Sequence, residues 1–155
     1  SVPTPKFFLN GARFEFTNEQ GGSPVSKPNC RILCVDDHFD TSEMLQVLLG
    51  DEDYEVQIAA TIEEACQLAK ASEFDLYVLD KRLPDGTGLE LCETLNQLTP
   101  SVPCIFYTGD AYEIHRHEAM AAGATAYVAK PDIDRLIATV HDLLSERECA
   151  AEAGK

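Results

Sequence analysis

The chain has 155 residues, 45% of them hydrophobic, with 12 basic against 27 acidic residues and a net charge of −15. That length and apolar content suit one domain with a real core, which excludes a disordered polypeptide. The charge argues against nucleic acid as a partner, because a polyanion without a lysine or arginine cluster repels a phosphate backbone.

Residues 1–29 read as an N-terminal extension and linker. They carry Lys6, Arg13 and Lys27 against Glu15 and Glu19, net +1, so the remaining residues carry −16. Within "KFFLNGARFEF" the pair Asn10-Gly11 between apolar runs predicts a type I′ β-hairpin over residues 5–16. Pairing 9/12, 7/14 and 5/16 puts Phe7, Leu9, Phe14 and Phe16 on one face and sets Lys6 opposite Glu15 and Phe8 opposite Arg13. A lone hairpin is marginal in water, so the expectation is that it docks on its own domain or on a second copy, a homodimer. Gly21, Gly22, Ser23, Pro24 and Pro28 then break any regular element.

From residue 30 strands and helices alternate. Arg31–Val35 reads as a strand, and a helix follows over Asp40–Leu49, with Asp40 and Glu43 spaced as a capping box and Gly50 as its stop. Tyr54–Ala59 is a second strand. Thr61 and Glu64 cap a helix with Ile62, Ala65, Leu68 and Ala69 on one side. Leu76–Leu79 is a third strand, followed by a helix with Leu91, Leu95 and Leu98 on one face. Val102–Tyr107 is a fourth strand, and Asp110–Ala122 a helix with a weak apolar stripe. Thr125–Val128 is a short fifth strand. The last helix repeats Ile133, Leu136, Ile137, Val140, Leu143 and Leu144 at three/four spacing. The alternating units end near residue 147, and residues 148–155 form a C-terminal tail too short for an output domain.

Five strand–helix units with short connections predict an α/β fold, a doubly wound five-stranded parallel sheet with helices on both faces. Ligands of such sheets bind beyond the C-terminal strand ends. There the chain places Asp36-Asp37, Asp80, Thr108 and Lys130-Pro131. Three carboxylates on one rim need a cation, most naturally Mg²⁺ with oxygen ligands. Lys130 supplies a point charge for a phosphate-like oxygen and Thr108 a hydroxyl. Nucleophilic carboxylate, metal, ammonium and hydroxyl together describe a site that takes a phosphoryl group on an aspartate. Each piece alone has a plain explanation as a cap, a turn or a backbone partner. Their joint placement on one rim is what calls for chemistry.

The motifs "ILCVDD", "YVLDKRLPDGTGLEL", "IFYTG" and "GATAYVAKP" resemble the receiver domain of two-component response regulators, over about Cys30 to Ser145. The resemblance implies a flavodoxin-like strand order 2-1-3-4-5 and a phosphorylation-controlled signalling switch rather than an enzyme with external turnover. Residue by residue it implies Asp80 as phosphoacceptor and Asp36, Asp37, Asp80 and the Arg82 backbone carbonyl as Mg²⁺ ligands. It implies Thr108 and Lys130 as catalytic partners, Thr108 and Tyr127 as the switch pair, Pro131 after a cis peptide, and Arg82 and Asp110 as residues tuning phosphoryl lifetime. The implied partners are a histidine kinase or phosphotransfer protein, and a downstream protein met by the fourth helix, fifth strand and fifth helix.

His38 is expected to begin the first helix facing solvent, and His115 and His117, two apart, are not expected to form a zinc pair. Cys30, Cys34, Cys66, Cys92, Cys104 and Cys149 form no C-x-x-C pair, so neither a disulfide framework nor a zinc site is expected, and the cytoplasm is the expected location. No run approaches the roughly 18 apolar residues of a membrane span, and no signal-peptide h-region is visible. Two rival readings stay open: a phosphohydrolase of another class with an aspartate nucleophile, and a degenerate receiver serving as a constitutive protein-binding module. The first wants a second carboxylate two residues after the nucleophile, where this chain has Arg82.

Overall fold

The computed structural model describes residues 8–9, 12–13, 30–109 and 112–146. Five parallel strands form the central sheet: β1 (Arg31–Val35), β2 (Glu55–Ala59), β3 (Leu76–Leu79), β4 (Cys104–Thr108) and β5 (Ala126–Ala129). They lie in the order β2-β1-β3-β4-β5. The helices are α1 (Phe39–Asp51), α2 (Ile62–Ala71), α3 (Gly88–Leu98), α4 (Glu113–Ala121) and α5 (Ile133–Ser145).

Because side chains alternate along a strand, each apolar run feeds two cores. Leu33, Val35, Tyr77, Leu79, Cys104 and Phe106 pack with Ala65, Leu91, Leu95 and Ala119 of α2, α3 and α4. Ile32, Cys34, Leu76, Val78, Ile105, Tyr107 and Val128 pack with Leu45, Leu49, Leu136, Val140 and Leu144 of α1 and α5. Each large side chain so buried contributes roughly 1.5–3 kcal/mol by leaving water. The sheet is thereby a rigid platform whose C-terminal rim is free to carry polar groups.

The helix starts differ in how they are held. Thr61 caps α2 by accepting from Glu64 N at 3.0 Å, while Glu64 Oε1 reaches back to Ala60 N, one residue earlier than a full capping box. Thr87 and Glu90 close a complete box at the start of α3. The Asp40–Glu43 box does not form: α1 begins at Phe39 behind His38, with no side-chain cap. Gly50 lies inside α1 rather than ending it, and the chain turns instead at Asp53, with φ 73°. The apolar contacts of Leu49 and the space around Gly50 let the helix run on past the glycine. Leu98 is 41% exposed, off the buried face shared by Leu91 and Leu95.

Near the N-terminus, Phe8–Leu9 pairs antiparallel with Ala12–Arg13, Leu9 opposite Ala12 and Phe8 opposite Arg13. The flanking pairs 7/14 and 5/16, the Asn10-Gly11 turn, the linker and the C-terminal tail lie outside the described residues. Cys34, Cys66, Cys92 and Cys104 are free thiols. Cys30 is disulfide-bonded, which corrects the expectation that no disulfide forms. Scattered spacing is a poor guide here, because a disulfide depends on where the chain brings two thiols in space.

Candidate functional site

The rim of the sheet is anchored by backbone hydrogen bonds. Asp36 N donates to Ala59 O at 3.0 Å and Asp80 N to Val35 O at 2.9 Å, so the two aspartates stand side by side beyond β1 and β3. Lys130 N donates to Thr108 O at 2.8 Å, joining the ends of β4 and β5. The Lys130–Pro131 peptide is cis.

At the centre sits the Asp80 carboxylate, 6% exposed. Its Oδ1 accepts from the Lys81 amide at 2.7 Å, and Thr108 hydrogen-bonds the same carboxylate. Lys130 Nζ lies 3.6 Å from Asp80 Oδ2 and 2.9 Å from Asp36 Oδ2. Burial, then the charge of Asp36, push the Asp80 carboxyl above its usual range, against the opposing pull of Lys130, the Lys81 amide and Thr108. Burial works against the charge of Lys130, but its hydrogen bond to Asp36 and the charges of Asp80 and Asp36 outweigh that and hold the ammonium above the ordinary lysine value.

Asp37 is exposed at the same rim, and one donor atom each from Asp36, Asp37, His38 and Asp80 falls within 4.8 Å of the others. A set of hard oxygen donors converging this closely suits a small divalent cation, which also relieves the repulsion among them. His38 stands at the start of α1 with its side chain 66% exposed, as expected, and its Nδ1 also lies 3.0 Å from Asp36 Oδ1. The hydrogen bond to Asp36, then the charges of Asp36 and Asp37, push its imidazole pKa up.

An open hollow of about 720 Å³ lies over these groups, lined among others by Asp80, Arg82, Thr108, Lys130 and His115. Arg82 is exposed there, in the short strand Arg82–Leu83 that pairs with Gly86–Thr87. Asp110, expected together with Arg82 to tune phosphoryl lifetime, lies outside the described residues. Tyr127 is buried against Phe106, ring centroids 6.2 Å apart and planes 21° from parallel. His115 and His117 part company: His115 meets Lys81, whereas His117 pairs with Glu113 at 3.8 Å on the surface.

Sequence reasoning passed over Lys81. It is a buried lysine whose Nζ reaches His115 and, at 3.3 Å, Glu118 on α4. The signal was present: a lysine directly after a buried strand has little reason to be there unless its charge is met.

The fold and site define a class. A sheet in this order, with an acidic pair, a buried aspartate, a threonine and a lysine on one rim, is matched by known proteins. The family model for the response regulator receiver domain matches residues 32–141. The response regulator protein PilR of Pseudomonas aeruginosa is 35% identical over 123 residues, covering 79% of this chain and 28% of PilR. The DNA-binding transcriptional activator DevR/DosR of Mycobacterium tuberculosis is 34% identical over 135 residues, 81% of this chain and 62% of that one. The non-phosphorylated HemR receiver domain from Leptospira biflexa superposes with a TM-score of 0.72 at 33% identity, covering 77% of this chain and 98% of that structure. The response regulator TrrA from Thermotoga maritima, solved in complex with Mg(2+)-BeF, does so with a TM-score of 0.68 at 33% identity, covering 74% and 99%.

The chain therefore belongs to the response regulator receiver domain family, the phosphorylation-controlled switches of two-component signalling. It spans about a quarter to three-fifths of the length of the curated relatives it matches. Among the described residues no helix is long and apolar enough to cross a membrane.

Proposed function

We propose that Asp80 accepts a phosphoryl group from a phosphohistidine on a histidine kinase or phosphotransfer protein. The observation that carries this reading is the setting of Asp80: a buried carboxylate flanked by Lys130, Thr108 and the acidic pair, under an open hollow. Asp36, Asp37, Asp80 and the backbone carbonyl of Arg82 would hold Mg²⁺. When bound, that ion offsets charge on the transferred phosphoryl oxygens.

The chain's own residues do the rest. A carboxylate oxygen of Asp80 attacks phosphorus in line, the P–N bond breaks, and the histidine leaves with the electron pair. The product is an acyl phosphate on Asp80. Lys130, already poised between Asp36 and Asp80, supplies positive charge to the phosphoryl group, and Thr108 turns its hydroxyl from the carboxylate to a phosphoryl oxygen. Tyr127, packed beside Phe106, then follows Thr108 and alters the α4, β5 and α5 face that meets a downstream protein. Turnover is confined to gain and loss of this one group. Arg82 and Asp110 set how long it lasts, and the cytoplasm is the compartment that suits such a relay. The N-terminal hairpin is read as docking on the receiver or on a second copy, which the melting temperature and the solution mass of a chain lacking residues 1–24 test.

Incubation with Mg²⁺ and acetyl phosphate, followed by intact-mass measurement, tests the central claim. One added phosphoryl group is expected, absent in Asp80→Asn and without Mg²⁺. No adduct under any condition favours a constitutive binding module. Steady phosphate release from assorted monoesters favours a hydrolase.

A further inference from the structure

His38 occupies the first position before α1, where a side chain ordinarily accepts from the free amides of the helix; it makes no such bond. Its ring is turned to the site instead. Nδ1 lies 3.0 Å from Asp36 Oδ1, 3.4 Å from Asp37 Oδ1 and 3.8 Å from Asp80 Oδ2. Its backbone amide also donates to Asp36 Oδ1 at 2.9 Å, which fixes the main chain against the acidic pair. The imidazole thus has no long path to travel in order to join the carboxylates.

We propose that His38 is a specificity-determining ligand, giving Nδ1 to the divalent cation at Asp36, Asp37 and Asp80 and favouring nitrogen-accepting ions over Mg²⁺. This rests on the reading that those carboxylates hold a cation. An all-oxygen site suits Mg²⁺, which dehydrates reluctantly and gains little from imidazole. One imidazole among the oxygens favours Co²⁺, Ni²⁺ and Zn²⁺, which accept nitrogen donors far more readily than Mg²⁺ does. To ligate, the ring takes the tautomer with its proton on Nε2, and the hydrogen bond from Nδ1 to Asp36 is exchanged for coordination. Side-chain exposure leaves Nε2–H free to meet water. The site then distinguishes ions by their chemistry at the residue next to the acidic pair, while the carboxylates supply the charge.

Calorimetric titration of the full chain with Co²⁺ and with Mg²⁺ tests this. Relative to wild type, His38→Ala is expected to bind Co²⁺ about tenfold or more weakly and Mg²⁺ within about twofold. Nitrogen NMR of the four imidazoles gives a readout on the unaltered chain: Zn²⁺ shifts Nδ1 of His38 strongly and Mg²⁺ does not, with His38→Asn identifying the signal. Equal Co²⁺ affinity in wild type and His38→Ala, or an Nδ1 signal that Zn²⁺ leaves in place, overturns the proposal. Mg²⁺ affinity unchanged in Asp36→Asn would instead overturn the carboxylate reading beneath it, whatever His38 does.

Discussion

Lys81 Nζ lies 3.3 Å from Glu118 Oε1, a bridge from the residue after Asp80 to the middle of α4. The same residue's amide holds Asp80 Oδ1. One residue therefore touches the Asp80 carboxylate with its backbone and α4 with its side chain. α4 has no side-chain cap at its start and buries only Ala119 fully, so it relies on contacts of this kind. Lys81→Met keeps much of the buried stem and removes the charge. It should cost about 1 kcal/mol and speed amide exchange across Glu113–Ala121 while α2 and α3 stay protected. Unchanged exchange in α4 would show that the bridge does not hold it.

Asp80→Asn should stabilise the metal-free protein. Burial and Asp36 raise the folded-state pKa of Asp80, so between the unfolded and folded values the native state binds more protons, and stability falls as pH rises through that window. At neutral pH the variant escapes this cost. A rise of a few degrees in the melting temperature is expected, the shift about 1 kcal/mol produces in a domain of this size. The gain should shrink as pH falls through the folded-state value and be gone below the unfolded-state one. A gain that persists in acid would rule out this origin.

Asp85 should carry the opposite dependence. Its two oxygens accept from Ile62 N at 2.9 Å and Glu63 N at 3.1 Å, capping α2 from the loop that follows Asp80. The Ile62 amide, chief among its partners, lowers the Asp85 pKa. The stability it adds is present above the unfolded-state value and lost as pH falls through the folded one. Asp85→Ala should melt lower than wild type at pH 7, and the two curves should converge in acid.

Gly88 packs so closely on the turn that a Cβ there would run into the Asp80 carbonyl oxygen and come within 3.0 Å of Phe106. Backbone cannot move aside as a flexible side chain does. Gly88→Ala should cost about 3 kcal/mol, read from denaturant unfolding. Gly50→Ala, where nothing lies within 4 Å, should instead be neutral or mildly stabilising.

Strand ends were legible because parallel strands buried on both faces read as uninterrupted apolar runs, and a charge after such a run marks the rim. That pattern alone puts Asp36, Asp80, Thr108 and Lys130 at the rim. Helix starts were less legible. Asp40 and Glu43 have capping spacing, but the cap position is His38, so the spacing starts two residues too late. The complete box at Thr87 and Glu90 was hidden behind the turn signal of "LPDGTG". The contacts of Lys81 and His38 were missed for one reason. Local sequence says which element a residue joins, whereas the partners of a long side chain come from elements far along the chain.

The contact between Lys130 and Asp36 joins residues 94 positions apart. A ribosome therefore delivers Asp36, Asp37 and Asp80 well before the ammonium that lies between Asp36 and Asp80. Until β5 docks beside β4, a nascent chain carries the acidic cluster without Lys130 in place. A truncated chain ending before β5 should thus be acid-rich at its rim and leave the β4 edge unpaired. Synthesis itself thus withholds the Lys130–Asp36 contact until the last strand is in place.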